Sequence, residues 1–334
     1  MGDIDIDENY RQLSQLAIPP ALKVGNVLED YEVLEVLFSG TRSYLYKVLN
    51  QKNNLTYALK APSSNFCEDL IYLRGFAQEQ WIGQHIDHVN VMKILPRSAD
   101  SKFMYHVCEL IEGQTLRQWM IDNPLPSLEQ VRSILKPITA ALRCMQRLDM
   151  IHRDLKPENV MISHNQEVKL IDFGTVQVAA LSEISSDEED DTPVGSVNYV
   201  APEYLLTNRC EHVSDIFSLG VMTYEMLTNA LPYKPFIYKD YRPKTLGEWH
   251  YIPIYQTQCK LPIWVDMALR RATAPNLDNR YQALSEFLSD LHQPNEAHLA
   301  AIKSAPLLER NPLLFWKVTC ALLVVANLYQ LWQK

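Results

Sequence analysis

Alternating apolar and polar positions near the start of the chain predict a group of neighbouring strands. The run YEVLEVLFSG, from Tyr31, alternates with a period of two, and SYLYKVLN follows it after a turn that contains Gly40. Two such runs joined by a short turn predict a β-hairpin. A third run, LTYALKA, carries Lys60 close to its end and extends the predicted sheet.

Longer segments with a helical spacing of apolar residues follow these strands. Residues 70–86 show that spacing, with Glu79 on the predicted inward side. The stretch FMYHVCELIEGQTLRQWM then predicts a buried strand that leads into a helix. Ser127 and Gln130 form a capping-box pattern that opens a long amphipathic helix, with apolar residues at positions 131, 134, 135, 138, 142 and 145.

The chain ends in an apolar run, residues 313–332, whose only charged residue is Lys317. A helix of this length crosses about 30 Å of hydrocarbon, so the run predicts a single transmembrane helix with the preceding chain on the cytoplasmic side. Three aromatic residues lie near its ends, as at membrane interfaces: Trp316, Tyr329 and Trp332. A helix docked on protein is the alternative, because Asn327 and Gln330 are polar.

Composition narrows the class of protein. The 334-residue chain has a net charge of -9 and no block of basic residues, which argues against a nucleic-acid partner. Its six cysteines form no C-x-x-C pair, so neither a disulfide framework nor a zinc site is indicated, and a reducing, cytoplasmic setting fits best. The opening MGDIDIDENY lacks the basic and apolar regions of a secretory signal.

Candidate chemistry is concentrated in the stretch IHRDLKPEN, residues 151–159. A short loop that carries a carboxylate, an ammonium group and an amide oxygen is suited to holding a hydroxyl nucleophile, a phosphate and a divalent cation together. A second metal ligand is needed nearby, and Asp172 of IDFG follows thirteen residues after Asn159. The two strings in this order predict a phosphoryl-transfer site.

Together these strings resemble the catalytic and metal-binding loops of Hanks-type Ser/Thr protein kinases. The resemblance covers residues 28–292 and implies an α+β fold with two lobes: a small antiparallel-sheet lobe, residues 28–111, and a helical large lobe, residues 112–292. Residues 1–27 are then a linker or short strap, and residues 293–312 a polar spacer before the apolar helix.

The resemblance also implies a role for each polar residue of the two loops. Asp154 would orient the attacking hydroxyl and accept its proton, and Lys156 would neutralise the γ-phosphoryl group during transfer. Asn159 and Asp172 would hold the Mg²⁺ ions that bridge the phosphates of ATP. The lysine two residues after Asp154 is similar to that of Ser/Thr kinases rather than Tyr kinases.

Nucleotide binding is expected mainly on the small lobe. Glu79 follows Lys60 by nineteen residues, the spacing in the family of the ion pair that directs the lysine to the α- and β-phosphates. Cys108 matches the gatekeeper position, and Glu109 to Ile111 match the hinge beside the purine. The other residues expected at the nucleotide are Leu37, Gly40, Leu45 and Ala58.

The glycine-rich turn departs from the family pattern and motivates an alternative function. Phe38 and Ser43 replace two of three glycines, which stiffens the loop, and Gly40 alone remains. A pseudokinase scaffold with weak nucleotide binding is therefore the second hypothesis, although the intact polar set favours an active enzyme. A small-molecule kinase is disfavoured by a full activation segment that ends at Glu203 of the APE string.

The activation segment contains a candidate phosphorylation site within the acidic string SEISSDEEDDTPVGS. Thr192 lies three residues before Gly195, where the regulatory site of the family often falls, and Arg153 would pair with its phosphate. Ser185 and Ser186 are weaker candidates. In the alternative hypothesis, the acidic string itself satisfies Arg153.

The resemblance also implies two contacts within the large lobe and a relation to a phosphatase. Asp215 would bind the backbone of the catalytic loop, and Arg280 would pair with Glu203. The run from PPALKVG to SYLYKV, the short glycine loop and the terminal FWK string resemble the kinase portion of bacterial bifunctional Ser/Thr kinase/PP2C-type phosphatases. The resemblance implies protein substrates. It also implies either that this chain is a fragment of such a bifunctional protein, or that it is a stand-alone relative and a PP2C-type phosphatase elsewhere acts on the same targets.

Overall fold

The structure is a computed structural model that describes residues 16–66, 69–178, 198–207, 209–234, 245–257, 259–295 and 315–323. Thr192, Ser185 and Ser186 lie outside the described residues, so the predicted phosphorylation sites remain predictions.

The N-terminal part forms an antiparallel sheet of five strands in the order β1-β2-β3-β4-β5. The strands are β1 (Val27–Leu28), β2 (Tyr31–Ser39), β3 (Ser43–Asn50), β4 (Leu55–Pro62) and β5 (His106–Glu109). The predicted hairpin is β2 and β3, and the third predicted run is β4. The register of β4 against β5 places Ala58 opposite Cys108 and Lys60 opposite His106.

One long helix, α1 (Leu70–His85), packs against this sheet. Asp69 begins it, because its side chain accepts a hydrogen bond from the backbone N–H of Tyr72 at 2.9 Å. The helix ends within one residue of the bound expected from the apolar spacing. A small apolar cluster on one side of α1 joins it to the sheet: Leu73, Phe76, Ala77 and Met104.

The remainder is a larger lobe of helices around a continuous apolar core. Its helices are α2 (Leu116–Asp122), α3 (Leu128–Gln146), α4 (Pro202–Thr207), α5 (Ser214–Thr228), α6 (Ile263–Ala272) and α7 (Leu284–His292). The capping box predicted from Ser127 and Gln130 is present at the start of α3. The six apolar positions predicted to lie on its inner face are all buried.

Short strands at the front of the large lobe hold the loops that carry polar residues. β6 (Gly113–Thr115), β8 (Val160–Ser163) and β9 (Val168–Leu170) form one sheet, and β7 (Met150–Ile151) pairs with β10 (Gln177–Val178). The segment before β5 also reaches this sheet, because Val91 bridges Leu170. The two lobes thus meet along β9, directly before Asp172.

At the C-terminus, residues 315–323 are helical, and the rest of the run predicted as a membrane span lies outside the described residues. Among the residues that the structure describes, no helix has the length and apolar character needed to cross a membrane. The apolar helix predicted over residues 313–332 is therefore seen only in this short piece.

Candidate active site

The loop between β7 and β8 brings three of the predicted catalytic and metal-binding side chains into contact. Oδ2 of Asp154 accepts hydrogen bonds from Nζ of Lys156 at 2.6 Å and from Nδ2 of Asn159 at 3.0 Å. Nδ2 of Asn159 also donates to the backbone carbonyl of Asp154 at 2.8 Å. These bonds hold the carboxylate of Asp154 in one orientation, and they direct the amide oxygen of Asn159 away from it.

A residue of α5 fixes the backbone of this loop. The carboxylate of Asp215 accepts hydrogen bonds from the backbone N–H groups of His152 at 2.9 Å and Arg153 at 3.1 Å, as predicted. Arg153 has a left-handed backbone conformation, with φ of 65°. Burial raises the pKa of Asp215, and the two backbone N–H groups oppose that shift by stabilising the charged form. A single buried carboxylate thus secures the bend that presents Asp154.

The small lobe supplies the predicted ion pair. Nζ of Lys60 lies 2.8 Å and 2.7 Å from the two carboxylate oxygens of Glu79. It also lies 3.6 Å from Oδ1 of Asp172, which belongs to the large lobe. Lys60 is therefore the point at which the small lobe meets the predicted metal ligand of the large lobe.

Electrostatics within this group favour charged forms of Lys60 and Asp172. Burial lowers the pKa of Lys60, but the carboxylates of Asp172 and Glu79 outweigh that effect and raise it above the usual range. Lys60 in turn holds the pKa of Asp172 below its usual value. Burial raises the pKa of Glu79, so this carboxylate depends on Lys60 to remain ionised.

The donor set at the junction of the lobes fits a magnesium ion. Among the described residues, no three His, Cys, Asp or Glu side chains form a metal-binding group built from protein alone. Magnesium suits sparse protein ligation, because it retains waters and takes other oxygens from phosphates. Asp172, with its backbone at φ of 66°, and Asn159 are the residues that would hold it.

The residues predicted around the purine lie along the inner face of the sheet and the chain after β5. Cys108 is buried opposite Ala58, and burial strongly raises the pKa of its thiol. Leu45 packs against the core, whereas Leu37 is 41% exposed on β2. Ile111 lies half-buried between β5 and β6.

Glu109, which the sequence places in the hinge, has a side-chain role that was not predicted. Its carboxylate accepts the backbone N–H of Lys93 at 2.8 Å and the ammonium group of Lys169 on β9 at 2.7 Å. Its side chain thus bonds to both lobes, and its backbone N–H also donates to the carbonyl of Lys93 at 3.0 Å.

The turn between β2 and β3 is covered by its own aromatic residue. A Cβ atom placed on Gly40 would lie 2.4 Å from the ring of Phe38, which is 57% exposed. The ring therefore occupies space beside the glycine. The tip of the turn is also tied to α1, because the hydroxyl of Tyr72 donates to the backbone carbonyl of Arg42 at 2.7 Å.

The described ends of the activation segment are fixed to the large lobe. Arg153 donates from Nε to the backbone carbonyl of Thr175 at 2.5 Å and lies over the ring of Tyr204. Glu203 forms the predicted pair with Arg280, with N to O distances of 2.8 Å and 3.0 Å. The hypothesis that the acidic string satisfies Arg153 concerns residues outside the described ranges.

Several contacts of the site were not predicted from sequence. Gln78 of α1 donates to the backbone carbonyl of Val176, and a Cβ atom on Gly75 would lie 3.0 Å from the carbonyl oxygen of Gly174. The helical spacing of positions 75, 78 and 79 places them on one side of α1, and this spacing could have predicted that Gly75 and Gln78 face the same neighbours as Glu79. This side of α1 contacts the start of the activation segment.

Arg117 is a second feature that sequence reasoning missed. Its guanidinium group on α2 donates to Glu158 at 2.7 Å and to Glu225 of α5 at 2.8 Å, and it also contacts the hydroxyl of Tyr199. Glu158 lies beside Asn159 in the catalytic loop. Arg117 therefore links that loop to α5 and to the end of the activation segment.

Comparison with known proteins finds the same family along most of the chain. The sequence pattern of the protein kinase domain matches residues 31–298. Serine/threonine-protein kinase PknL of Mycobacterium tuberculosis is 32% identical over 204 residues, which cover 61% of this chain and 50% of that protein. The probable serine/threonine-protein kinase PknB of Lactococcus lactis is 28% identical over 273 residues, covering 81% of this chain and 43% of that protein.

Other comparisons agree on the family and on the fold. Serine/threonine-protein kinase PrkC of Bacillus subtilis is 24% identical over 266 residues, covering 78% of this chain and 40% of that protein. The chain thus spans half or less of the length of these curated relatives. The crystal structure of the PknI kinase domain of M. tuberculosis matches with a TM-score of 0.61 at 21% identity, over 82% of this chain and 100% of that one. This likeness confirms the predicted fold with a sheet lobe and a helical lobe.

Proposed function

The chain belongs to the protein kinase family, and on that premise we propose that it transfers the γ-phosphoryl group of ATP to serine and threonine hydroxyls of proteins. The observation that carries this proposal is the convergence of two sets of residues from different lobes. Lys60, held by Glu79, lies 3.6 Å from Asp172. The loop of Asp154 and Asn159 adjoins the same junction, because the backbone N–H of Ile171 donates to the carbonyl of Asn159 at 2.9 Å.

Two residues of the catalytic loop have different roles in phosphoryl transfer. Asp154 orients the substrate hydroxyl and accepts its proton as the oxygen attacks. Lys156, 2.6 Å from that carboxylate, stabilises negative charge at the transferring group. The anchoring of this loop by Asp215 keeps both side chains in position before substrate arrives, so little reorganisation is needed during the reaction.

The residues around Lys60 bind and orient the nucleotide. Glu79 directs the ammonium group of Lys60 toward the phosphates, while Asp172 and Asn159 would hold the metal ion. When bound, magnesium ATP supplies the phosphoryl group, and its metal neutralises the phosphate charge. Cys108 and the hinge from Glu109 to Ile111 would contact the purine.

The alternative of a pseudokinase scaffold is not favoured. It was motivated by the stiff turn at Phe38 and Ser43, and the ring of Phe38 does lie beside Gly40. The polar residues required for transfer are nevertheless present in two groups: Lys60 contacts Glu79 and Asp172, and Asp154 contacts Lys156 and Asn159.

Replacing Lys60 with methionine tests the proposal. We expect phosphoryl transfer to fall about 10²- to 10³-fold, because a preorganised charge at the phosphates is lost. The measurement is transfer of label from γ-labelled ATP, with Mg²⁺, to a generic basic protein, followed by analysis of the labelled amino acids. Label should appear on serine and threonine with the unsubstituted protein.

Lys52→Met is the matched control for this experiment. Lys52 lies in the turn between β3 and β4, its side chain is 73% exposed, and it pairs at 2.6 Å with Asp30. Such a surface pair contributes little to stability, so activity should stay close to that of the unsubstituted protein. Nucleotide binding without transfer by the unsubstituted protein would contradict the proposal and support the pseudokinase.

Three finer proposals rest on the sequence alone. We propose autophosphorylation at Thr192, which phosphosite mapping of an active sample would refute if that residue stayed unmodified. We also propose that a PP2C-type phosphatase acts on the same substrates. The third proposal is that residues 313–332 anchor the chain to the inner membrane, with the kinase domain in the cytoplasm.

A further inference from the structure

A short N-terminal segment, residues 16–18, lies along the small lobe outside the residues matched to the kinase domain. We call this segment the strap. Its central residue, Ala17, forms a parallel bridge with Phe103. The backbone N–H of Ala17 donates to the carbonyl of Lys102 at 3.1 Å, and its carbonyl accepts from the N–H of Met104 at 2.9 Å. The strap therefore adds to the small lobe as an extra extended segment.

The side chains of the strap alternate in the manner of a strand with one covered face. Leu16 and Ile18 are half-buried, whereas Ala17 is exposed. Leu16 and Ile18 pack against the apolar cluster of α1, which comprises Leu73, Phe76, Ala77 and Met104. The strap therefore covers the side of α1 where this small cluster would otherwise meet water.

The same helix carries the active-site contacts on its other side. Glu79 accepts a hydrogen bond from Lys60, and Gln78 donates one to the backbone carbonyl of Val176. Gly75 lies close to the backbone carbonyl of Gly174. The two sides are mechanically connected, because the ring of Phe76 lies 3.8 Å from that of His106, which pairs with Lys60 in the sheet. A shift of α1 on the strap side would thus move Glu79 relative to Lys60.

We propose that the strap is a positioning element that holds α1 so that Glu79 remains bonded to Lys60. Because close-packed contacts have few intermediate arrangements, loss of the strap would let α1 move to positions in which Lys60 is not directed at nucleotide. The inference rests on the proposed kinase function. The strap, which precedes the kinase domain in the chain, then sets the affinity of the site for ATP.

The test is the double substitution Leu16→Asp with Ile18→Asp in the full chain. If the population with the ion pair formed falls to a tenth, the apparent KM for ATP rises about tenfold. The KM for the protein substrate should remain unchanged, since the strap is remote from the catalytic loop. Hydrogen exchange of the α1 amides should become faster in the same variant.

Ala17→Asp is the control, because it places an aspartate at the neighbouring position on the exposed face, with one added negative charge against two in the double variant. It should leave the KM for ATP and the exchange of α1 unchanged. Should the double aspartate variant unfold, Leu16→Ala with Ile18→Ala replaces it, with thermal unfolding followed in parallel. A normal KM for ATP and normal α1 exchange in a folded strap variant would overturn the inference.

Hydrogen exchange also separates this inference from the proposed function. If the unsubstituted protein transfers no phosphate, the kinase proposal fails, and the exchange of α1 still reports whether the strap holds the helix. If transfer is normal and the strap variants match the unsubstituted protein in both measurements, only the strap inference fails.

Discussion

Asp154→Asn is expected to lower kcat for protein phosphorylation by about 10²- to 10⁴-fold. Asparagine has nearly the same shape as aspartate, so the loop should keep the bend that Asp215 holds. Because asparagine is neutral, the hydrogen bonds to Lys156 and Asn159 lose the contribution of the negative charge. What is removed is the group that accepts the proton. The KM for ATP should change little, because Lys60 and Asp172 are untouched, and steady-state kinetics with varied ATP separate the two quantities.

Asp149→Asn provides the control for that result. Asp149 is exposed, lies five residues before Asp154 and has φ of 54°, a conformation that asparagine tolerates. The same chemical change at this position should leave kcat unaltered. Retained activity in Asp154→Asn would refute the assignment of Asp154 as the proton acceptor.

Arg280→Met is expected to destabilise the folded protein by about 3–5 kcal/mol, because it leaves the buried carboxylate of Glu203 without its charged partner. The side chain of Arg280 is fully buried and donates to Glu203, to the carbonyl of Ala274 and to that of Val213. Methionine fills similar space but supplies none of these donors. Urea unfolding followed by circular dichroism measures the loss as a lower transition midpoint.

Two further variants identify the cause of that loss. Arg271→Met removes a partly exposed arginine that lies 3.9 Å from Glu286 and 4.2 Å from the ring centre of Tyr281, so it should cost about 1–2 kcal/mol. Adding Glu203→Gln to Arg280→Met removes the unpaired charge and should recover part of the stability. If Arg280→Met unfolds at the same urea concentration as Arg271→Met, the buried pair is not important for stability.

The parts of the fold that could be predicted from sequence are those encoded locally. The hairpin of β2 and β3 follows from period-two alternation, and the start of α3 follows from the capping box at Ser127. The polar strings around Asp154 and Asp172 identified the two loops, because several chemically distinct residues occur at family spacing. The Lys60 to Glu79 pair was predicted from its register.

Contacts between distant segments could not be predicted in this way. Arg117 reaches Glu225 over 108 residues, and Gln78 reaches Val176 over 98 residues. Neither pairing has a local pattern, since an arginine or a glutamine on a helix is equally compatible with a solvated surface. Residues 1–27 were predicted only as a linker or short strap, because two apolar residues separated by one give too short a period to identify what they pack against.

The hydrogen bonds of the Glu109 carboxylate limit how far the two lobes can separate. This carboxylate accepts one hydrogen bond from the ammonium group of Lys169 in the large lobe and another from the backbone N–H of Lys93 in the small lobe. A swing about this pivot must stretch at least one charge-assisted bond, which resists rotation more than a neutral linker would. Release of the product nucleotide is therefore expected to proceed without wide separation of the lobes.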